Sequence, residues 1–371
     1  MRYQLIIPAR VNILGNPADG VEGAHSTIST AIDTYAGATV EPADGILLES
    51  ITSDGDVLTS LALDELPPYP YDSTLDLPKA ALNRLYAYSE QLRSRLTPSN
   101  GVRIATWTDV PRQSGLGGSS LLVLLALAGL RLFYDLDPLI HNDYVLAELC
   151  QRVEAQELGI TCGYADRYVP LFGGLAYLDY RGKLFQKPLG EEPYVTYERL
   201  DRWCQDLSLV IAFTGLEHDS GDVHSVMRAR YMDEYVVHRE SGGPPPFMVQ
   251  VMESVGSTAW RGKMALLEGD WHRFGRLMVE NHSLVDEMME YCGLPGGAGQ
   301  ANNSLIQAAL DSGALGAKLT GAGGGGSVFA LAEQGREDQL ARALRAVADE
   351  AGLGGAQVWR AHVDLLGLRQ G

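Results

Sequence analysis

Basic residues are scarce. Lys and Arg number 29 against 47 Asp and Glu, a formal charge of −18 over 371 residues. A chain this acidic is poorly suited to holding nucleic acid or an anionic membrane through bulk electrostatics. An anionic small molecule would need a cation placed locally. Cysteine is sparse as well. Cys150, Cys162, Cys204 and Cys292 form neither a C-x-x-C pair nor a zinc-knuckle spacing, which points to reduced thiols and a cytoplasmic location. Long hydrophobic runs are lacking. The longest, "LLVLLALAGL", stops at Arg131, about half of the roughly 20 residues a membrane span needs. At the N-terminus, Pro8 and Arg10 interrupt "MRYQLIIPARVNILG" too early for the apolar stretch of a secretion signal.

Several catalytic signatures are missing too. There is no G-x-x-x-x-G-K-[ST] phosphate loop, no G-x-S-x-G elbow and no H-E-x-x-H pair. Gly321, Gly323 and Gly326 do spell G-x-G-x-x-G, but the following "SVFALA" reads as a strand. A dinucleotide fold requires a helix there.

The length suits two lobes. Strands are predicted in one or two pieces around Pro8, at 101–110, 173–180, 207–213, 316–320, 327–332 and 356–363. Short strand candidates flank the Asp-Gly turn at 54–55. Helices are predicted over 77–96, from about Ser119, and over 143–158, 222–238, 247–268, 271–291, 301–312 and 337–352. The pattern is mixed α+β in both halves. Charged residues and prolines gather near 185–205, dividing an N-terminal lobe, 1–200, from a C-terminal lobe, 201–371.

Glycine is concentrated in three stretches, 15–23, 115–118 and 321–326. In "DVPRQSGLGGSSLLVLLALAGL" (109–130) the glycines stand just before a helix. There the free N–H groups and the helix dipole favour an anion, typically phosphate. A tight turn with a serine cap is the alternative, but a cap needs one serine and not three glycines with two serines. Glu154, near the end of a predicted helix, and Asp166, on the loop predicted after it, are candidates for metal ligation and acid–base work.

In order and spacing, "PARVNILGNPADG", "PRQSGLGGSS" and "KLTGAGGGGSVFAL" resemble the three motifs of the GHMP kinases, across Pro8 to Leu331. "QELGITCGYADRYVPLFGGLAYLDY" and "DSGDVHSVMRARYMD" are similar to segments of the glucuronokinase branch, which makes sugar 1-phosphates. Asn16 stands where galactokinases carry a glutamate. The resemblance implies an N-terminal ribosomal-protein-S5-domain-2-like lobe and a C-terminal ferredoxin-like lobe. ATP and Mg²⁺ are the implied cofactors. Pro111, Ser114, Gly115, Leu116, Gly117, Gly118, Ser119 and Ser120 would surround the ATP phosphates. Ser120 and Glu154 would hold Mg²⁺, Asp166 would be the catalytic base and Arg10 its partner. Asn16, Asp19, His25, Asp166, Gly323 and Gly324 fall at substrate positions.

The implied reaction is transfer of the ATP γ-phosphoryl to the anomeric hydroxyl of a sugar or uronic acid. A uronate carboxylate would call for an arginine, and Arg112, Arg167, Arg228 and Arg230 are the candidates. A heptose or neutral hexose kinase, a non-catalytic sugar sensor of the same fold, and the diphosphomevalonate decarboxylase branch are the alternatives. The expected partner is a small molecule, with no nucleic acid or membrane, on a monomer or homodimer.

Overall fold

The stretch around Pro8 is one continuous strand, β1 (Tyr3–Leu14), in the computed structural model, and its register against the next strand shifts at Pro8/Ala9. The structure describes all residues except 73–74, 184–186, 205–206, 217–219, 295 and 322, and except the side chains of 220–222. Part of the 185–205 segment taken as the lobe boundary therefore lies outside the described residues.

After β1 come β2 (Ser26–Ala43), β3 (Ile46–Ile51), β4 (Val57–Leu63), α1 (Asp76–Tyr88), α2 (Glu90–Arg95), β5 (Gly101–Thr108), α3 (Gly118–Phe133), α4 (Asp143–Arg152), α5 (Ala165–Phe172), β6 (Leu175–Asp179), β7 (Thr196–Arg199) and β8 (Leu209–Phe213). The second half holds α6 (Ser220–Ser241), α7 (Phe247–Glu268), α8 (Trp271–Tyr291), α9 (Gln300–Asp311), β9 (Gly316–Leu319), β10 (Ser327–Leu331), α10 (Glu337–Glu350), β11 (Gln357–Ala361) and β12 (Arg369–Gln370).

The first sheet runs β12-β1-β2-β5-β3-β4, and β6 and β7 extend it from the first part of β2. Only β3 and β5 pair in parallel among these strands. The 18-residue β2 was not foreseen as a strand. Most of it is buried, at its start on both faces, so it lacks the two-residue alternation that marks a half-exposed strand. The second sheet is antiparallel, in the order β11-β8-β10-β9, with α9 and α10 packed on it. Numbered along the chain that order is 4-1-3-2, the ferredoxin-like arrangement the resemblance implies.

Three helix expectations need correction. The predicted helix over 77–96 breaks at Ser89, whose Oγ accepts the N–H of Leu92 and starts α2. The one over 143–158 is α-helical only to Arg152 and then widens into a π turn over Val153–Glu157. Asp166 is not on a loop but in the first turn of α5.

The apolar run seen in the sequence is α3, buried from Ser120 to Leu130 apart from Leu122. It packs on β1, β2 and β5, so tightly that a Cβ on Gly129 would lie 2.6 Å from Val40 Cγ2. Each leucine buried there contributes roughly 1.5–3 kcal/mol. The same core takes in Ala259 and Leu266 of α7, Phe274 and Leu277 of α8, and Ile211 of β8. Elements after residue 200 thus share a core with the first sheet. Among the described residues no helix is long and apolar enough to cross a membrane.

Candidate active site

The turn before α3 has the backbone that its glycines allow. Gly115 and Gly117 sit at φ +73° and +88°, a region that side chains rarely adopt. Gly117 is the N-cap of α3, and no side chain caps that helix end. The N–H groups of its first turn are therefore left for a ligand. Ser114 Oγ, in the same turn, is buried without a hydrogen-bond partner. Leu116 is fully buried, and its carbonyl accepts the N–H of Arg10 at 3.3 Å, which pins the turn to β1. Pro111 accepts the Ser114 N–H at 3.2 Å.

The third glycine stretch packs on this turn. A Cβ on Gly321 would lie 2.8 Å from Gly115 Cα, and one on Gly326 would lie 3.2 Å from the Gln113 carbonyl oxygen. Gly323 and Gly324 lie farther along, against Met289, Ala298 and Gly299. Ala322, in the same stretch, is outside the described residues.

Arg10, on β1, joins the turn to Asp166. Its Nη1 donates to the Gly115 carbonyl at 2.5 Å, its Nε to Asp166 Oδ1 at 2.6 Å, and its Nη2 lies 2.5 Å from Asp166 Oδ2. Asn12 adds a third donor, Nδ2 to Asp166 Oδ1 at 3.2 Å, and is oriented by Ser29 Oγ donating to its Oδ1 at 2.8 Å. Asp166 keeps 24% of its side chain exposed while Arg10 keeps 4%, so the carboxylate and not the guanidinium meets an incoming molecule. Burial would raise the Asp166 pKa. The charges of Arg10 and Arg167, with the hydrogen bonds from Arg10 and Asn12, outweigh it and hold the carboxyl well below the usual carboxylate range.

Asp166 is placed by the start of α5. Asp19 Oδ2 accepts the N–H groups of Tyr164 and Ala165 at 2.9 and 3.0 Å. Behind α5, Tyr168 donates to Glu148 of α4 at 2.5 Å. Gly173 ends the helix at φ +68°, with no room for a Cβ because the Gly367 nitrogen would be 2.4 Å away. The Gly173–Gly174 pair thus lets the C-terminal segment cross the end of α5.

Glu154 lies in the π turn, fully buried beside α3. Ser119 donates to its Oε1 at 2.8 Å and Ser120 to its Oε2 at 2.9 Å. The Arg167 guanidinium also pairs with Oε2, donates to the Gly163 carbonyl at 2.8 Å, and lies 3.7 Å from Asp166 Oδ2. One arginine therefore bridges the two acidic groups singled out in the sequence. Its commitments leave it poorly placed as a free partner for a substrate carboxylate. The hard oxygens of Ser120 and Glu154 suit Mg²⁺. Among the described residues no cluster of three or more His, Cys, Asp or Glu could hold a metal by itself. That donor set fits an ion carried mainly by the phosphates of a nucleotide.

Asn16 and His25 belong to the first glycine stretch. Asn16 Nδ2 donates to Asp19 Oδ1 at 3.4 Å, and its Oδ1 is buried without a partner. The His25 ring folds under its own loop, with Nε2 3.1 Å from the Glu22 carbonyl oxygen, beside Gly256. Burial lowers the His25 pKa, so its ring is neutral.

Several residues at the site escaped the sequence reading. Asn281 of α8 accepts the Gly15 N–H at 2.8 Å and donates to the Asn16 carbonyl at 3.2 Å. It stands in "NHSLVDEMMEY", where only the acidity catches the eye. Lys318 of β9 donates to the carbonyls of Asn12 and Leu319 at 3.2 and 2.6 Å from a fully buried position. Burial, with the charge of Arg10 nearby, brings its pKa down to about 7. A lysine preceding a glycine-rich turn gives no sequence signal of such burial.

Residues 76–174 match the model described as GHMP kinases N terminal domain, and residues 264–350 match GHMP kinases C terminal. Glucuronokinase 1 of Arabidopsis thaliana is 31% identical over 330 residues, covering 86% of this chain and 83% of its own. The D-glycero-alpha-D-manno-heptose 7-phosphate kinase of Campylobacter jejuni is 25% identical, covering 74% of this chain and 72% of its own. Among solved structures, Lactococcus lactis galactokinase in complex with galactose aligns with a TM-score of 0.77 at 18% identity, over 100% of this chain and 95% of that one. With both halves of the family matched in order and a relative above 30% identity aligned over most of its length, the chain belongs to the GHMP kinases.

Proposed function

We propose that this kinase transfers the γ-phosphoryl group of ATP to the anomeric hydroxyl of a uronic acid, giving a sugar 1-phosphate. The observation that carries the reading is the Arg10 bridge. One guanidinium holds both Asp166 and the glycine turn, so a hydroxyl at Asp166 and a phosphate at the turn would be neighbours. The identity to a glucuronokinase favours a uronate over other sugars.

In this reading the N–H groups of the α3 start and Ser114 hold the phosphates. Preorganised donors stabilise transferring charge without having to reorganise. Asp166 accepts a hydrogen bond from the sugar hydroxyl and orients its oxygen, and Arg10 keeps the carboxylate ionised. A carboxylate held so acidic is a weak base, so its contribution is weighted towards orientation, with proton transfer completed as the phosphoryl group arrives. Ser120 and Glu154 would hold Mg²⁺, which neutralises phosphate charge when bound.

A neutral sugar is the second reading. It is favoured by Glu22, of the first glycine stretch, which already pairs with Arg228 of α6 at 2.7 Å. Following ADP release over a panel of uronic acids, hexoses and heptoses separates the two. The reading expects glucuronate or galacturonate to be turned over best, and it fails if both are inert while a neutral sugar reacts.

A further inference from the structure

Resting on the placement of the sugar hydroxyl at Asp166, we infer that Asn12 is a positioning residue for phosphoryl transfer. It fills one oxygen of Asp166, so that the hydroxyl is received by the other, and it is itself set by Ser29 and by the lead-in to the third glycine stretch.

Arg10 and Asn12 are two residues apart on β1 with no register shift between them, so both side chains leave the same face of the strand. Both reach Asp166. Oδ1 accepts Arg10 Nε at 2.6 Å and Asn12 Nδ2 at 3.2 Å. Oδ2 has Arg10 Nη2 at 2.5 Å, while Arg167 Nη1, at 3.7 Å, is too far to donate. An ionised carboxylate has about four acceptor sites, two on each oxygen. Oδ1 is thus filled, and Oδ2 keeps one site open. Without the Asn12 amide, Oδ1 would open a second site and the hydroxyl would lose its single destination.

The Asn12 amide has one way to sit. A carboxylate only accepts hydrogen bonds, so the amide nitrogen must face Asp166 and the amide oxygen must face Ser29. Ser29 stands opposite Asn12 in the β1–β2 ladder, and its Oγ donates to Asn12 Oδ1 at 2.8 Å. The register shifts directly beyond this pair, before Leu14, a kind of break that re-aims a side chain.

The main chain of Asn12 is held from the other half of the chain. Thr320 Oγ1 accepts its N–H at 3.4 Å, and Lys318 Nζ donates to its carbonyl at 3.2 Å. Asn12, Ser29, Lys318 and Thr320 are all buried, so water does not replace these bonds. Thr320 directly precedes Gly321, which packs on Gly115 of the turn assigned here to phosphates. One continuous piece of chain therefore braces both the support of Asp166 and that turn.

The test is steady-state kinetics with ATP and glucuronate, or with the neutral sugar that reacts should glucuronate be inert. Asn12→Ala and Ser29→Ala are measured alone and combined with Asp166→Asn. Asn12→Ala should lower kcat about 10- to 100-fold, the scale of misplacing a reacting group by about 1 Å. Ser29→Ala frees the amide without touching Asp166 and should lower kcat about tenfold. In both, kcat and kcat/KM should fall together, with the ATP dissociation constant from calorimetry unchanged. In the Asp166→Asn background neither substitution should lower kcat further by more than about twofold, because residues that act through one group are not additive. If Asn12→Ala does not fold, Ser29→Ala decides alone. Wild-type kcat in these variants, or losses that multiply with that of Asp166→Asn, overturn this inference and leave the Asp166 reading standing. Unchanged kcat in Asp166→Asn ends both.

Discussion

At the scale of single residues, Asp166 and its partners give two measurable consequences. Asp166→Asn keeps the shape and hydrogen-bonding reach of the side chain but loses the charge facing Arg10. We expect kcat to fall about 10²–10⁴-fold, while the ATP dissociation constant, measured by calorimetry, changes little. Unchanged kcat would remove Asp166 from the reaction. The pKa shift adds a stability test. A carboxyl depressed by folding contributes stability that is complete above the unfolded value of about 3.9 and is lost as pH falls towards the folded value. The stability gap between wild type and Asp166→Asn in urea should therefore be constant from about pH 7 to 5 and narrow below about pH 4. Both serines bond Glu154, but Ser120 is buried and Ser119 is exposed. Ser120→Ala should raise the Mg²⁺ concentration needed for half-maximal rate more than Ser119→Ala, and equal effects would refute the distinction. Residue types made much of this site legible. An acidic residue ahead of a Gly-Gly pair and serines after a glycine run can be read in one dimension. The Arg167 bridge and the Asp19 cap cannot, because each depends on chain segments brought together only by folding.

Among the elements, β9 carries the sharpest prediction. Lys318 is buried without a carboxylate partner among the described residues, and its pKa is lowered to about 7. Between that value and the unfolded lysine value near 10.4, the unfolded chain binds the extra proton. This group alone therefore makes stability rise with pH across the window, by at most about 1.4 kcal/mol per unit, and adds no slope below it. Lys318→Met should flatten the unfolding profile from about pH 7 to 10, and an unaltered slope in urea titrations would contradict the assignment. Long helices with plain periodicity, such as α7 and α8, were readable to within a residue or so because one face meets the core. The strand β2 and the helix α5 were not. β2 is largely buried and gives no alternation, and α5 is short, contains Pro170 and depends on Asp19 for its N-terminus.

For the whole molecule, the first glycine stretch belongs to the N-terminal half but is held from the other half by Asn281 and Arg228. Asn281→Ala would leave the Gly15 N–H and the Asn16 carbonyl without these buried partners, at a cost of about 1–3 kcal/mol each if unsatisfied. We expect a lower thermal midpoint together with a raised sugar KM. A variant that loses stability with sugar KM unchanged would separate the loop from substrate binding. The ferredoxin-like order of the second sheet, the core shared between elements from both halves, and the glycine-on-glycine contact of residues 115 and 321 join the second and third glycine stretches across the chain. The central claim is that this arrangement passes phosphate to an anomeric oxygen of a uronic acid. The most direct measurement is phosphorus NMR of the product formed from glucuronate and ATP. The account predicts one new phosphomonoester signal, coupled to the anomeric proton and formed in equal amount to ADP. A phosphate on any other carbon, or no sugar phosphate from any uronate while a neutral sugar is phosphorylated, would contradict it.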